Sequence, residues 1–302
     1  MSGRADELAA AYDAARPRLV RVAYAVLGSG SDAEDVVSDV WLRLVVADGR
    51  DPVLDVEAWS TTVVARAALD VLRSARSRRE VYVGPWLPEP LVALEPMSPD
   101  PADRVTLDES VSFALLVVLE SLSPAERTSW VLHELFGVPF AEVARVVGRS
   151  PDAVRQLASR ARAHLAERAP RLDVDAAEHD EAVGAFLRAA AGGDLEALVA
   201  TLDPDVVLTS DGGGEVSAAR RPVHGADSVA RFFLGIAARR VPGDDVDVRP
   251  VNGRTGLVLR HGDELTGVVS FTVADGRVVR VDFLRSPSKL LRVARRSRPR
   301  AT

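Results

Sequence analysis

The sequence predicts a multidomain chain, with an all-α half containing a helix-turn-helix followed by an α+β half. Three observations carry this expectation. Residues 5 to 80 and 105 to 168 repeat apolar side chains at helical spacing with few Gly or Pro. Between them Pro85, Pro88, Pro90, Pro96, Pro99 and Pro101 rule out both a helix and a central strand. From about residue 175 two helical patterns give way to short Val-rich runs, DVVLTS, GLVLRH, GVVSFTVADG and RVVRVDFL, broken by Gly and Asp. Val273-Ala-Asp-Gly276 between two such runs predicts a hairpin turn. The tail from Ser286 reads as basic and mobile.

At 302 residues the chain is too long for one ordinary core, and 47% apolar with 27% charged residues excludes the disordered class. The absence of cysteine excludes disulfides, thiolate metal sites and a cysteine nucleophile. The N-terminus lacks a basic stretch and apolar core of the secretory kind. The apolar run Phe113 to Leu119 is far short of the roughly 20 residues that span a bilayer. Membrane attachment is therefore not expected, and a cytoplasmic location is. The net charge of −6 resides in residues 1 to 170, which hold 19 Arg against 25 acidic residues. Within that half Trp59 to Tyr82 and Arg145 to Arg168 are basic islands, with five and six Arg. Lys289 is the only lysine among 38 basic residues, a bias that a GC-rich genome would also produce.

The second island contains FAEVARVVGRSPDAVRQLASRARAHL. Phe140, Val143, Ala144 and Val147 form one apolar face, Gly148 a turn, Ser150 a cap, and Pro151 with Asp152 a helix start. Val154, Leu157, Ala158, Ala161 and Leu165 form the inner stripe of the second helix. Its outer face carries Arg155, Gln156, Ser159, Arg160 and Arg162, residue types that contact base edges and phosphates in a major groove. A solvated charged face reads the same way. In the first island Arg66, Asp70, Arg73, Arg76, Arg78 and Arg79 stay outside an apolar stripe, which suits a surface as readily as a DNA site. Upstream, Asp32, Glu34, Asp35 and Asp39 open an amphipathic helix packed through Val36, Val37, Val40, Trp41 and Leu44.

In order, these segments resemble extracytoplasmic-function (ECF) sigma factors. GSGSDAEDVVSDVWLRL is similar to the polymerase-binding helix of sigma domain 2, AWSTTVVARAALDVLRSARSRRE to its promoter-melting segment, and the stretch from Leu122 to Leu165 to sigma domain 4. Tyr82 to Leu91, YVGPWLPEPL, resembles the linker of the subgroup with a SnoaL-like C-terminal domain. The resemblance implies all-α sigma domains 2 and 4 followed by an α+β, cone-shaped SnoaL-like domain. The boundaries expected are 5–80 for domain 2, 81–105 for the linker, 106–170 for domain 4, 173–286 for the SnoaL-like domain and 287–302 for a basic tail. It implies core RNA polymerase held by Asp32, Glu34, Asp35 and Asp39, with promoter DNA met by the two arginine sets. The proline-stiffened connector would hold the two modules at a distance suited to grip a promoter, whether packed together or splayed.

In the C-terminal half, Asp211-Gly212-Gly213-Gly214 and Asn252-Gly253 resemble motifs of that subgroup. Three glycines suit a docking loop and equally a flexible loop between strands. The resemblance implies a regulatory contact between these residues and Trp86, Leu87, Pro88, Glu89 and Pro90, replacing a separate anti-sigma factor. It also leaves room for a small hydrophobic ligand. No cofactor, metal set or catalytic residue is assigned, because Asp211, His224, His261 and Asp282 have no partner by spacing. His179 and Asp180 are expected on a solvated helix face. Two other functions remain open: a C-terminal domain that turns over a small molecule, and a polymerase-independent repressor.

Overall fold

The structure, a computed structural model, describes residues 2–79, 82, 84–92, 111–168 and 174–296. It divides into two compact units, one of residues 1–80, 101–111 and 118–168, the other of residues 81–100, 112–117 and 169–302.

The first unit is helical. Helices α1 (Ser2–Leu27), α2 (Gly30–Asp48) and α3 (Val56–Arg79) pack through Leu19, Val40, Leu44, Val64 and Leu72, all buried. The Ser29 hydroxyl caps α2 by accepting from the Asp32 amide at 3.2 Å. Helix α4 (Phe113–Leu119) lies mostly in the second unit, and after it the first continues with α5 (Pro124–Trp130), which a capping box between Ser123 and Glu126 starts. A π-helical turn, Val131–Leu135, leads to α6 (Phe140–Val147) and α7 (Pro151–Arg168). Gly148 ends α6 at φ 72°, in the left-handed region, and the Ser150 hydroxyl accepts from the Ala153 amide at 3.3 Å. The helix-turn-helix thus forms from the turn and cap residues read in the sequence.

The two helical modules share one core. Val22 of α1 and Ala65 and Leu69 of α3 pack with Leu132, Val138, Val143 and Val147. The buried guanidinium of Arg127 donates through Nε and Nη2 to the Ala25 carbonyl, each at 3.2 Å, and pairs with Glu120. Each module alone would leave an apolar stripe in water, and burying one stripe against the other removes both.

In the second unit α8 (Ala176–Gly192) and α9 (Leu195–Ala200) precede β1 (Leu202–Asp211), β2 (Val223–His224), α10 (Ala226–Ala237), β3 (Asp244–Val251), β4 (Arg254–His261), β5 (Glu264–Ala274), β6 (Arg277–Leu284) and α11 (Pro287–Arg296). The strands form one sheet in the order β2-β1-β6-β5-β4-β3, antiparallel except for β1 against β6. Phe186 of α8 and Phe271, Val281 and Phe283 of the sheet centre its core. Asn252 (φ 49°) with Gly253, and Asp275 (φ 50°) with Gly276, make two-residue turns between β3 and β4 and between β5 and β6. Of the region expected as a mobile tail from Ser286, Pro287–Arg296 instead forms α11, because Leu290 and Val293 are buried, and residues 297–302 lie outside the described residues. His179 is likewise buried rather than solvated, its Nε2 3.1 Å from the Phe271 carbonyl.

Candidate regulatory site and nucleic-acid interface

Alternation along β1 sends Leu208 into the core and Asp211 to the opposite face at the strand's end. There the fully buried Asp211 carboxylate accepts four hydrogen bonds. They come from the Tyr82 hydroxyl (2.6 Å), the Leu87 amide (2.8 Å), the Gly213 amide (3.0 Å) and the Lys289 ammonium (2.7 Å). Lys289 also donates to the Leu87 carbonyl at 2.7 Å, and its Nζ lies 3.9 Å from the centre of the Trp86 ring. One turn along α11, Arg292 pairs with Glu89 at 3.1 Å. Burial first, and then the Asp211 carboxylate, push the Tyr82 phenol above its ordinary range.

The far end of the connector is held by backbone. The Leu91 amide donates to Asn252 Oδ1 and the Asn252 amide to the Leu91 carbonyl, both at 2.9 Å, and Val92 bridges Val251. The left-handed turn that presents Asn252 in this way is one that Asn adopts more readily than most residues. Leu87, Pro88, Glu89, Pro90 and Leu91 are all buried. Gly212 has no room for a side chain, since a Cβ would lie 2.7 Å from both Ala218 Cβ and the Val216 carbonyl. Gly213 and Gly214 have φ of 68° and 76°. Tyr82, Leu91, Lys289 and Arg292 belong to this site but not to the contact set read from the sequence. The solitary lysine was the available signal, and composition alone did not place it.

On the helix-turn-helix, Arg155, Gln156, Ser159, Arg160 and Arg162 are exposed on one side of α7. Three of them hold carboxylates: Arg155 pairs with Asp152, Arg160 with Glu126 at 3.3 Å, and Arg162 with Glu134. Such exposed pairs contribute little, so a phosphate can replace the carboxylate at small cost. On α3 Arg66, Asp70 and Arg73 are exposed; Arg66 donates to the Arg145 carbonyl at 3.1 Å and Arg73 pairs with Asp70 at 3.5 Å. The side chains of Arg76, Arg78 and Arg79 lie outside the described residues. On α2 Asp35 and Asp39 are exposed and Glu34 is tied to Arg16, while Asp32 sits in the first turn. Beside Asp39, the side chains Leu42, Val45 and Val46 are exposed by 64%, 46% and 55%, an apolar patch that reading the acidic residues alone had not included.

The C-terminal sheet and helices α8 and α10 also line an open cavity of about 300 Å³, walled by Phe186, Phe233, Ile236, Leu257, Val269 and Phe283 among others. Among the described residues Arg240 is its one charged lining residue. The candidate acids and bases stand elsewhere: Asp211 is taken up by the connector, Asp282 by Arg280 at 2.7 Å, and His261 by Asp244 at 2.8 Å, while His224 is exposed on β2. Among the described residues no cluster of His, Asp and Glu has the arrangement of a metal site, and no helix is long and apolar enough to cross a membrane.

Family models place sigma-70 region 2 on residues 11–78, sigma-70 region 4 on residues 112–165, and a SnoaL-like domain on residues 183–281. The ECF RNA polymerase sigma factor SigJ of Mycobacterium tuberculosis is 43% identical over 92% of this chain and 91% of its own. This chain is an ECF sigma factor. The probable ECF sigma factor SigI of the same species is 35% identical over 94% of this chain and 95% of its own. The crystal structure of SigJ matches with a TM-score of 0.72 at 37% identity, covering 93% of this chain and 97% of that one.

In this ECF sigma factor α1 to α3 are therefore sigma domain 2, α5 to α7 lie in sigma domain 4, and the sheet belongs to the SnoaL-like domain. It is an alternative sigma factor, with core RNA polymerase and promoter DNA as the partners its domains imply. The connector between the two sigma domains is the segment seated on Asp211 and Asn252.

Proposed function

We propose that the SnoaL-like domain controls this sigma factor in cis by gripping the connector between its promoter-binding domains, in place of a separate anti-sigma factor. The observation that supports the reading most is the Asp211 carboxylate, which holds the connector's Leu87 and the Lys289 of α11 at one buried point. A stiff proline-rich segment with Trp86 as its anchor loses little conformational freedom on docking, so the grip is economical to make and to release. In this account α2 docks on core polymerase through Asp32, Glu34, Asp35 and Asp39 together with Leu42, Val45 and Val46. Arg66, Asp70, Arg73, Arg76, Arg78 and Arg79 meet the melted promoter strand, and Arg155, Gln156, Ser159, Arg160 and Arg162 read the upstream element. Because α3 and α6 share a core, engaging DNA with both domains requires that core to open.

Purified protein added to core RNA polymerase tests this function. Specific transcripts from a promoter near its own gene are expected, and the absence of any stimulated transcript contradicts the reading.

A second role for the same domain is supported by the apolar cavity, which suits a small hydrophobic ligand. With Arg240 as its one charged wall residue among those described, binding rather than turnover fits its chemistry. Solvent-extracted ligand recovered from purified protein supports a sensor, whereas consumption of that molecule supports an enzyme.

A further inference from the structure

We propose that the space between the first residues of the connector and the glycine-rich loop is a binding site for a small oxyanion-bearing molecule, a phosphate or a carboxylate, and that its occupancy is coupled to connector docking. The cavity measures about 290 Å³, near the lower end of ligand-pocket sizes, and is separate from the apolar one. Gly84 and Pro85 form the connector's side of it; Ser210, Gly212, Gly214 and Arg220 contribute from the domain.

Its chemistry is that of an anion site. Ser210 is 1% exposed, and its hydroxyl has no hydrogen-bond partner among the described residues. A buried hydroxyl left in that state is unfavourable unless a ligand or water meets it. The exposed Arg220 and its neighbour Arg221 have no carboxylate partner among the described residues. Arg285, behind the wall, donates to the Ser217 carbonyl at 2.5 Å, and burial alone holds its guanidinium below the usual range. Two carboxylates are near. Asp211 is neutralised by Lys289, and Glu215 approaches Gly213 on the side of Tyr82. The balance is positive, and Gly214 lines the cavity with no side chain to obstruct a ligand.

Coupling follows from the walls. Gly84 and Pro85 directly precede Trp86 and Leu87, so release of Leu87 from Asp211 takes one side of the cavity away. A ligand that needs both sides favours the docked connector by mass action. The inference rests on the docked connector and not on whether docking controls transcription.

Titration calorimetry on the full chain tests it with inorganic phosphate, glycerol 3-phosphate and succinate. Glycerol and equal ionic strength of chloride serve as controls, with hydrogen exchange of the Leu87 amide followed in parallel. At least one oxyanion is expected to bind saturably and to slow Leu87 exchange, while glycerol and chloride do neither. Arg220→Gln, at an exposed position, should weaken binding about tenfold or more, the loss expected when a charge-assisted bond is removed. Ser210→Ala should weaken it less, and Asp211→Ala, which leaves the Leu87 amide without its acceptor, should abolish it by freeing the wall. Failure of all three oxyanions to saturate overturns the proposal, as does affinity unchanged from the parent chain in both Arg220→Gln and Ser210→Ala.

Discussion

Lys289 Nζ lies 2.7 Å from Asp211 Oδ2, the two residues 78 positions apart in sequence and both side chains buried. The same ammonium bonds the Leu87 carbonyl, and the same carboxylate the Leu87 amide, so one residue of the connector closes a ring with an ion pair. Neither charge is solvated, so each depends on the other and on the connector.

Removing the carboxylate should therefore be costly. Asp211→Ala leaves Lys289 buried without its counter-charge and the Leu87 amide unpaired, and should destabilise the C-terminal unit by about 3–5 kcal/mol. Asp211→Asn retains an acceptor and should cost less. Equilibrium denaturation of both variants measures the difference; equal losses would mean that the charge is immaterial.

The single lysine supplies a chemical probe. Lys289 should resist amine acylation in the intact chain and become reactive when Trp86 to Pro90 is replaced by Gly and Ser. Peptide mapping separates it from the N-terminal amine. Reactivity unchanged by the replacement would show that the connector does not cover it.

The promoter face makes a separate prediction. Arg155→Ala in complex with core polymerase should weaken the cognate promoter by about 1–3 kcal/mol if its base contact is direct. A mismatched promoter should be affected less. Gel-shift titration on the two promoters distinguishes this from a phosphate contact, which would weaken both alike.

Connector docking should also depend on pH at the alkaline end. The free phenol titrates near 10.0, and the docked Tyr82 higher, because burial and Asp211 disfavour its anion. A raised value in the docked state means that the phenol's contribution is complete below about 10 and is lost as the pH climbs through the docked value. Trp86 fluorescence, with Trp41, Trp59 and Trp130 replaced by Phe, should be flat from about pH 6 to 9 and then report release. Tyr82→Phe should remove that transition.

Much of the architecture was legible because its signals are local. Gly148, Ser150 and Pro151 specify the turn and helix start of the helix-turn-helix through their own backbone preferences, and Asp275-Gly276 does the same for a hairpin. The strand β3 was missed: its Val246 and Val248 alternate with Asp, and Pro250 argues against a strand unless it is an edge, which β3 is. Helix α11 was read as a tail because arginines dominate it, although Leu290 and Val293 are spaced to share one buried face. The site itself was half visible. Asp211 and Asn252 stand in recognisable motifs, but their partners are backbone groups 124 and 161 positions away, and no local pattern encodes such a distance. The shared core of the two sigma domains was hidden for a similar reason, since an apolar stripe does not name the surface it will meet.

The grip on the connector should govern transcription by the sigma factor. Run-off transcription with core RNA polymerase tests it most directly, comparing the intact chain with a Trp86-to-Pro90 replacement and with a chain ending at residue 170. All three should bind polymerase, and the two altered chains should share a transcript level distinct from that of the intact protein. Equal transcription by all three would contradict the account.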